Sequence, residues 1–253
     1  MDFGNRTPTS RTTCGDLVLE DLDIVVERVH DDPPAARPDT TDVPGRDGTL
    51  LREITYDART ITLECRAFEK TWDGFEALRD TLVTHLMTRG ELKLVLRTHP
   101  HEYYLAHLDS ITEGDRIGGT GIGYFELQFT ANDPVRYGET KSVEVPSGGS
   151  VSFKVEGNQP ALASIEASAA VRSGGSTVWG VRFDEQDFAH IATGSDSARA
   201  VSIDGVSRTA KVAGATSMIT LDSDWPVLTP GRHVARMDEG TGAATLTWQE
   251  RSL

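Results

Sequence analysis

Arg59-Thr60-Ile61-Thr62-Leu63-Glu64-Cys65-Arg66-Ala67-Phe68 alternates without a break, and the residues after it change period. Ile61, Leu63, Cys65 and Ala67 fall on one side, Thr60, Thr62, Glu64 and Arg66 on the other, which is the period-2 pattern of a half-buried strand. Phe75, Leu78, Leu82, Val83 and Leu86 then recur at helical spacing. Asp73 with Glu76 three residues on has the form of an acidic capping box, and Gly90 is a natural stop. The pattern is that of one half-buried strand and then one amphipathic helix.

The same texture extends outward. Upstream, residues 17–29 hold Leu17, Leu19, Leu22, Ile24, Val25 and Val26 among acids, which predicts a short strand pair. Asp31-Asp32-Pro33-Pro34-Ala35-Ala36-Arg37-Pro38-Asp39 carries too much proline and charge for a core element and reads as an exposed loop. It leads into the turn-forming run Asp42-Val43-Pro44-Gly45-Arg46-Asp47-Gly48. Downstream, Leu92, Leu94 and Leu96 alternate, a His/Tyr-rich strand covers His101 to Leu108, and Phe125, Leu127 and Phe129 alternate again. Between the last two, Gly114 to Gly123 reads as a glycine-rich hairpin tip or long loop, and Asn132-Asp133-Pro134 stops the sheet.

From there the chain is all-β in character. Val151, Phe153 and Val155 alternate with Ser152, Lys154 and Glu156. Val201-Ser202-Ile203 and Val206-Ser207-Arg208 flank Asp204-Gly205, which reads as a two-residue hairpin turn. Short strands, Gly/Ser-rich turns and the absence of a helical window predict a sandwich. The fold class is mainly β (α+β), divided into residues 1–138 and 139–253, with no internal repeat visible.

The 253 residues, 38% hydrophobic and 25% charged, suffice for two domains with cores of their own. No apolar run approaches the ~20 residues of a membrane helix, and residues 1–6 lack the pattern of a secretory signal. The net charge of −14, carried mostly by the first half, argues against stable nucleic-acid binding through phosphates. Cys14 and Cys65 do not form a disulfide framework, and Cys65 sits on the inward side of its strand.

Candidate chemistry is thin. His99-Pro100-His101-Glu102 with His107 lacks the helical His-Glu-x-x-His arrangement that places two imidazoles on one ion, and on a strand these side chains are spaced too far apart. Gly118-Gly119-Thr120-Gly121-Ile122-Gly123 lacks the Gly-Lys-Ser/Thr ending and the subsequent helix of a phosphate loop. Asp184, Glu185 and Asp187 read as a solvated turn rather than a pair of carboxylates set across a glycosidic bond. Neither a Gly-x-Ser-x-Gly elbow nor an EF-hand spacing occurs. No cofactor or metal is expected, and the chain is not expected to be an enzyme. Trp179, Phe183, Trp225 and Trp248 have the chemistry to stack on sugars but are the residue types that anchor sandwich cores. Carbohydrate binding through the second half is the alternative function.

In order and spacing these elements resemble the distal tail protein (Dit) family of long-tailed, non-contractile phages and prophages. The resemblance rests on the Asp42–Gly48 loop, the 61–68 strand, the helix from Asp73, the strand with Leu92, Leu94 and Leu96, and Tyr103-Tyr104-Leu105-Ala106. It continues through Phe125 to Asn132-Asp133-Pro134-Val135-Arg136-Tyr137, Val155-Glu156-Gly157-Asn158, and Trp225-Pro226-Val227-Leu228-Thr229-Pro230-Gly231. Pro160 stands early for entry into the next strand. The resemblance implies an N-terminal belt domain that assembles into a hexameric ring and a C-terminal galectin-like, carbohydrate-module-like sandwich. It implies a virion structural protein of the tail tip or baseplate, assembled in the bacterial cytoplasm. Its partners would be copies of itself, the tail-tube protein, a tail-associated fibre or lysin protein and a receptor-binding protein, with no membrane contact. Part of the acidity is then expected to line the ring and repel passing DNA. No catalytic residue carries over. The positions that matter are turns: Pro44, Gly45, Asp47, Gly48, Asp133, Pro134, Asp204, Gly205, Trp225, Pro230 and Gly231.

Overall fold

A computed structural model describes residues 11–69, 71–117, 122–172, 178–184, 187–193 and 197–253. The chain divides into two compact units, Met1–Arg136 with Leu253, and Tyr137–Ser252. Among the described residues no helix is long and apolar enough to cross a membrane.

The first unit is built from β1 (Thr13–Cys14), β2 (Leu17–Val18), β3 (Ile24–His30), β4 (Ala36–Asp42), β5 (Thr49–Tyr56), β6 (Arg59–Phe68), α1 (Trp72–Leu86), β7 (Leu92–Val95), β8 (Tyr104–Ile117) and β9 (Ile122–Ala131). All but β4 and β5 of its strands join one antiparallel sheet in the order β2-β1-β7-β8-β9-β6-β3. The alternating stretch read from the sequence is β6, residue for residue. Ile61, Leu63, Cys65 and Ala67 are buried, and they share one core with Leu94, Tyr104, Phe125, Leu127 and Phe129. Helix α1 joins that core through Phe75, Leu78, Leu82 and Leu86, while Val83 stays exposed. Burial pushes the Cys14 thiol up to about 12, with help from the nearby Glu20 carboxylate, and raises the Cys65 thiol as well. Both are inert buried thiols.

Several local expectations are corrected. The helix is capped not by Asp73 but by Thr71, whose extended backbone lets Oγ1 accept the Gly74 N–H at 3.1 Å. It ends at Leu86, before Gly90. Thr71→Ala is expected to lower the stability of the chain by about 1 kcal/mol in urea unfolding, the usual loss for an N-cap. Residues 17–29 are a two-residue strand, a 3-10 turn at Leu19–Leu22 and β3, rather than a strand pair. The His/Tyr-rich strand starts at Tyr104, and β8 runs on to Ile117, taking in Gly114. The remaining tip residues of the glycine-rich run, 118–121, lie outside the described residues.

The second unit contains β10 (Arg136–Val145), β11 (Ser150–Val155), β12 (Ala161–Ala170), β13 (Val178–Phe183), β14 (Asp187–Ala192), β15 (Arg199–Asp204), β16 (Thr209–Val212), β17 (Ala215–Ser217), β18 (Val227–Leu228), β19 (Gly231–Glu239) and β20 (Ala244–Ser252). One sheet has the order β10-β20-β12-β15-β16-β17, with β18 also on β12, and the other has the order β11-β19-β13-β14. Ile165, Ile203, Leu246 and Trp248 from the first meet Trp179, Val181, Phe183 and Ala235 from the second in a single core, so this unit is a β-sandwich. Pro160 stands immediately before β12, where no ladder N–H is required of it.

Candidate functional site

Strands β4 and β5 pair only with each other, and every residue of both is exposed. The Pro-rich stretch that reads as a loop is irregular over residues 31–35, but from Ala36 on it is one strand of an antiparallel arm. Pro38, the one proline within the two strands, is tolerated because each strand of a two-stranded ribbon has an outward-facing edge. The tip is the turn chemistry expected of it. Arg46 N–H bonds Val43 C=O at 3.2 Å, with Pro44 and Gly45 between them and Gly45 at φ 79°, the arrangement of a type II turn. Gly48, at φ 78°, returns the chain to β5, and Asp47 sits beside it at the exposed tip.

The root of the arm is the opposite in character. Asp31, just after β3, and Arg59, at the start of β6, flank the whole excursion, and their side chains form a buried pair 3.4 Å apart. The Tyr104 hydroxyl donates to both oxygens of Asp31, at 2.8 and 3.0 Å, and accepts from Arg59. Arg136 donates to Tyr104 at 3.3 Å and to Glu102 at 2.8 Å. One carboxylate and two guanidinium groups thus close on one phenol, and Glu102 holds Arg136 in place. Burial, reinforced by the Asp31 carboxylate, pushes the Tyr104 hydroxyl up to about 12, so it stays a donor. The arm's base is pinned by charge-assisted bonds with few competing waters. The sequence showed each of these residues but nothing that joined them.

The other turn residues hold strand ends. Asp133 Oδ1 accepts the Val135 N–H at 3.3 Å, an Asx turn that with Pro134 ends β9 and buries Val135. Asp204-Gly205 is not a two-residue hairpin. Asp204 pairs with Thr209, and Gly205 to Arg208 form the loop, so Val206-Ser207-Arg208 is turn rather than strand. Gly205 is required there for a different reason. A Cβ would lie 2.6 Å from Ala163 O and 2.8 Å from Pro226 O. The tight loop lets Gly205 N–H bond Ala163 C=O, while Ala163 N–H bonds Pro226 C=O, which ties the Trp225–Gly231 run to β12. Trp225 packs against the second core, and Pro230 and Gly231 lead into β19.

Burial pushes the Asp204 carboxyl up, but hydrogen bonds from the Ser207 hydroxyl and the Val206 and Ser207 N–H groups outweigh it and hold it below the usual aspartate range. A depressed folded-state value means the stabilisation is complete above the ordinary aspartate value and is lost as pH falls through the lowered one. Unfolding of the wild type is expected to become easier below about pH 4 by more than that of Asp204→Asn. Parallel acid-unfolding curves for the two proteins check this.

The residues weighed for chemistry do not converge. His107 pairs with Asp109, and His99 lies 3.7 Å from Glu102, which is itself engaged by Arg136. Among the described residues no three His, Cys, Asp or Glu side chains form a metal-ligand group. Asp184 is bound to His233 and the Val234 N–H, and Glu185 lies outside the described residues. Trp179, Phe183 and Trp248 are buried in the sandwich core, which removes them as a sugar-stacking surface.

Residues 12–131 match the family model of the phage tail protein RIFT-related domain. The chain is similar over 96% of its length, and 99% of the other's, to the Dit protein (gp 19.1) of phage SPP1. Identity is 18% and the TM-score 0.78. That crystal structure is described as a paradigm of the hub adsorption apparatus of phages infecting Gram-positive bacteria. A chain in the phage P2 baseplate, in its activated conformation with Ca, aligns at 9% identity with a TM-score of 0.48, covering 92% of both chains. No curated protein matches.

Proposed function

We propose that this chain, whose residues 12–131 match the phage tail protein RIFT-related domain, is a siphophage distal tail protein and the structural hub of a tail tip or baseplate. Residues 1–138 act as the belt that closes a hexameric ring. Residues 139–253 act as a galectin-like module displayed from it. The ring joins the tail tube to the tail-associated fibre or lysin protein and presents the receptor-binding apparatus. Its place is the virion tail, reached by assembly in the host cytoplasm, and its work is done by fit rather than by catalysis.

The observation that carries this reading is the β4–β5 arm. A two-stranded ribbon with every residue exposed is at best marginal in water, and three strands or a packed face are needed for stability. Such an arm belongs against a neighbour. Its rigid root suits that use, since an arm held at a set angle docks with less entropy lost than a swinging one.

Light scattering over a range of protein concentrations, with negative-stain images of the same samples, tests the reading. The expected particle is a ring with the mass of six 27.5 kDa chains, formed alone or with the tail-tube protein. A single-chain mass under every condition, tail-tube and fibre partners included, overturns it.

A further inference from the structure

The sheet β11-β19-β13-β14 of the second unit sets like charges opposite each other twice. Lys154 pairs with Arg232 across β11 and β19, and Arg182 pairs with Arg236 across β13 and β19. Directly opposed residues lie about 5 Å apart at Cβ, where like charges cost stability. At the second pair the chain supplies its own counterion. Arg182 Nε lies 2.9 Å from Asp238 Oδ1 and its Nη2 donates to Oδ2 at 3.1 Å, while the Arg236 guanidinium is 3.9 Å from the same carboxylate. At the first pair the balance is incomplete. Glu156 lies 3.3 Å from Lys154 but is shared with Lys141, at 3.4 Å. Asp184, beside Val234, is taken up by His233 and the Val234 N–H. Among the described residues Arg232 has no anionic partner.

The Lys154–Arg232 pair borders a groove of about 470 Å³, lined by Ser152, Phe153, Lys154, Arg232, His233 and Val234. Alternation turns Phe153 and His233 toward the sandwich core, where Phe153 packs on Trp248 with 4.9 Å between ring centroids. The outward side chains are therefore Lys154 and Arg232 in one row, and Ser152 with the exposed Val234 in the next. An ammonium and a guanidinium fork set side by side suit a group with several anionic oxygens, phosphate above all. The groove is too large for that group alone, since its volume lies in the range of pockets that hold whole small ligands, about 300–1,000 Å³. Whatever carries the phosphate meets the Ser152 hydroxyl and the apolar Val234, a combination that suits the hydroxyl groups and C–H faces of a sugar or polyol.

We infer that the Lys154–Arg232 groove binds a phosphate carried on a sugar or polyol. The phosphate lies between the two cations, in the role that Asp238 plays between Arg182 and Arg236, and its carrier lies along Ser152 and Val234. The gain has two parts, new charge-assisted hydrogen bonds and relief of the repulsion between two opposed cations. The net charge of −14 does not prevent this, because salt at physiological strength screens exposed charges beyond about 8 Å. The site lies wholly within the second unit and does not depend on the ring reading.

Equilibrium dialysis of the full chain against radiolabelled glucose 1-phosphate tests the site. The expected result is one ligand per chain, with binding weakened about tenfold or more in Arg232→Gln and in Lys154→Gln. Arg236→Gln, which removes a cation already offset by Asp238, binds as the wild type does. All three positions are exposed, and circular dichroism checks that each variant folds. A short glycerol phosphate oligomer, added at equal phosphate concentration, separates a polymeric source from a free sugar phosphate. The better competitor names the source, and either one supports the site. No binding by the wild type up to about 10 mM ligand, or equal binding by the wild type and Arg232→Gln, overturns the inference. Displacement of the label by glucose as readily as by glucose 1-phosphate overturns it as well, since the ligand is then a neutral sugar. Inorganic phosphate displacing it equally well removes the sugar or polyol from the site. Stronger displacement by single-stranded DNA, phosphate for phosphate, assigns the cations to nucleic acid and overturns it too.

Discussion

Arg59→Met is expected to destabilise the chain by about 3–5 kcal/mol, the range for removing one partner of a buried ion pair. Arg59 is 2% exposed and Asp31 12%, and Tyr104 and Arg136 close around them. Removing one guanidinium leaves the Asp31 carboxylate buried with its charge only partly balanced by Arg136, 3.9 Å away. The loss comes mainly from that stranded charge rather than from the broken contact itself. It follows that Arg59→Met combined with Asp31→Leu recovers much of the deficit, because no unpaired charge then remains. Urea unfolding of the wild type, the single variant and the double variant measures this. Hydrogen exchange in the arm should quicken in the single variant, since its root is no longer pinned. A single-variant loss below about 1 kcal/mol would mean that water reaches the cluster and that the root is not rigid.

Trp179→Ala is expected to cost about 3–5 kcal/mol, the range for removing a buried large aromatic. Trp179 is fully buried between the two sheets of the sandwich, on β13 beside Val181 and Phe183. The same substitution separates two roles for the residue. A sugar-stacking tryptophan lies at the surface, and its removal weakens glycan binding while leaving the fold nearly as stable. A core tryptophan behaves the other way round. Near-UV circular dichroism during denaturant unfolding reports the loss, and a glycan-binding assay on the same variant is expected to show no change attributable to this side chain. A stable variant that had lost glycan binding would reinstate the tryptophan as a recognition residue.

The elements that were legible in the sequence are those whose pattern repeats over many residues. Strict alternation over 59–68 survives as β6 because one face meets a core and the other does not, and a one-residue slip would expose Ile61, Leu63 and Cys65 together. The apolar spacing of α1 survives for the same reason. What failed was local and decided by competition. Asp73 and Thr71 are both acceptable caps, and the extended backbone at Thr71 settled which one serves. Asp204-Gly205 has the composition of a tight hairpin, yet Gly205 is needed for close approach to Ala163 and Pro226, which no local pattern records. Proline and charge signalled exposure correctly at 36–39, but not that these residues pair with 53–56, since a ribbon without a core carries no alternation to read, nor that Asp31 is held at the buried root.

By itself, then, the order of residues determined that the chain is mainly β with one amphipathic helix, which faces of β6 and α1 turn inward, and where proline and glycine make it turn. It did so because periodicity and turn chemistry are short-range properties. The tertiary structure alone decided that Asp31, Arg59, Tyr104 and Arg136, the outermost of them more than a hundred residues apart, share one buried cluster. It alone decided that Lys154 stands opposite Arg232 and that Arg182 stands opposite Arg236. Those relations are set by strand pairing across long loops, where the energy of contact comes from partners that the local sequence does not name.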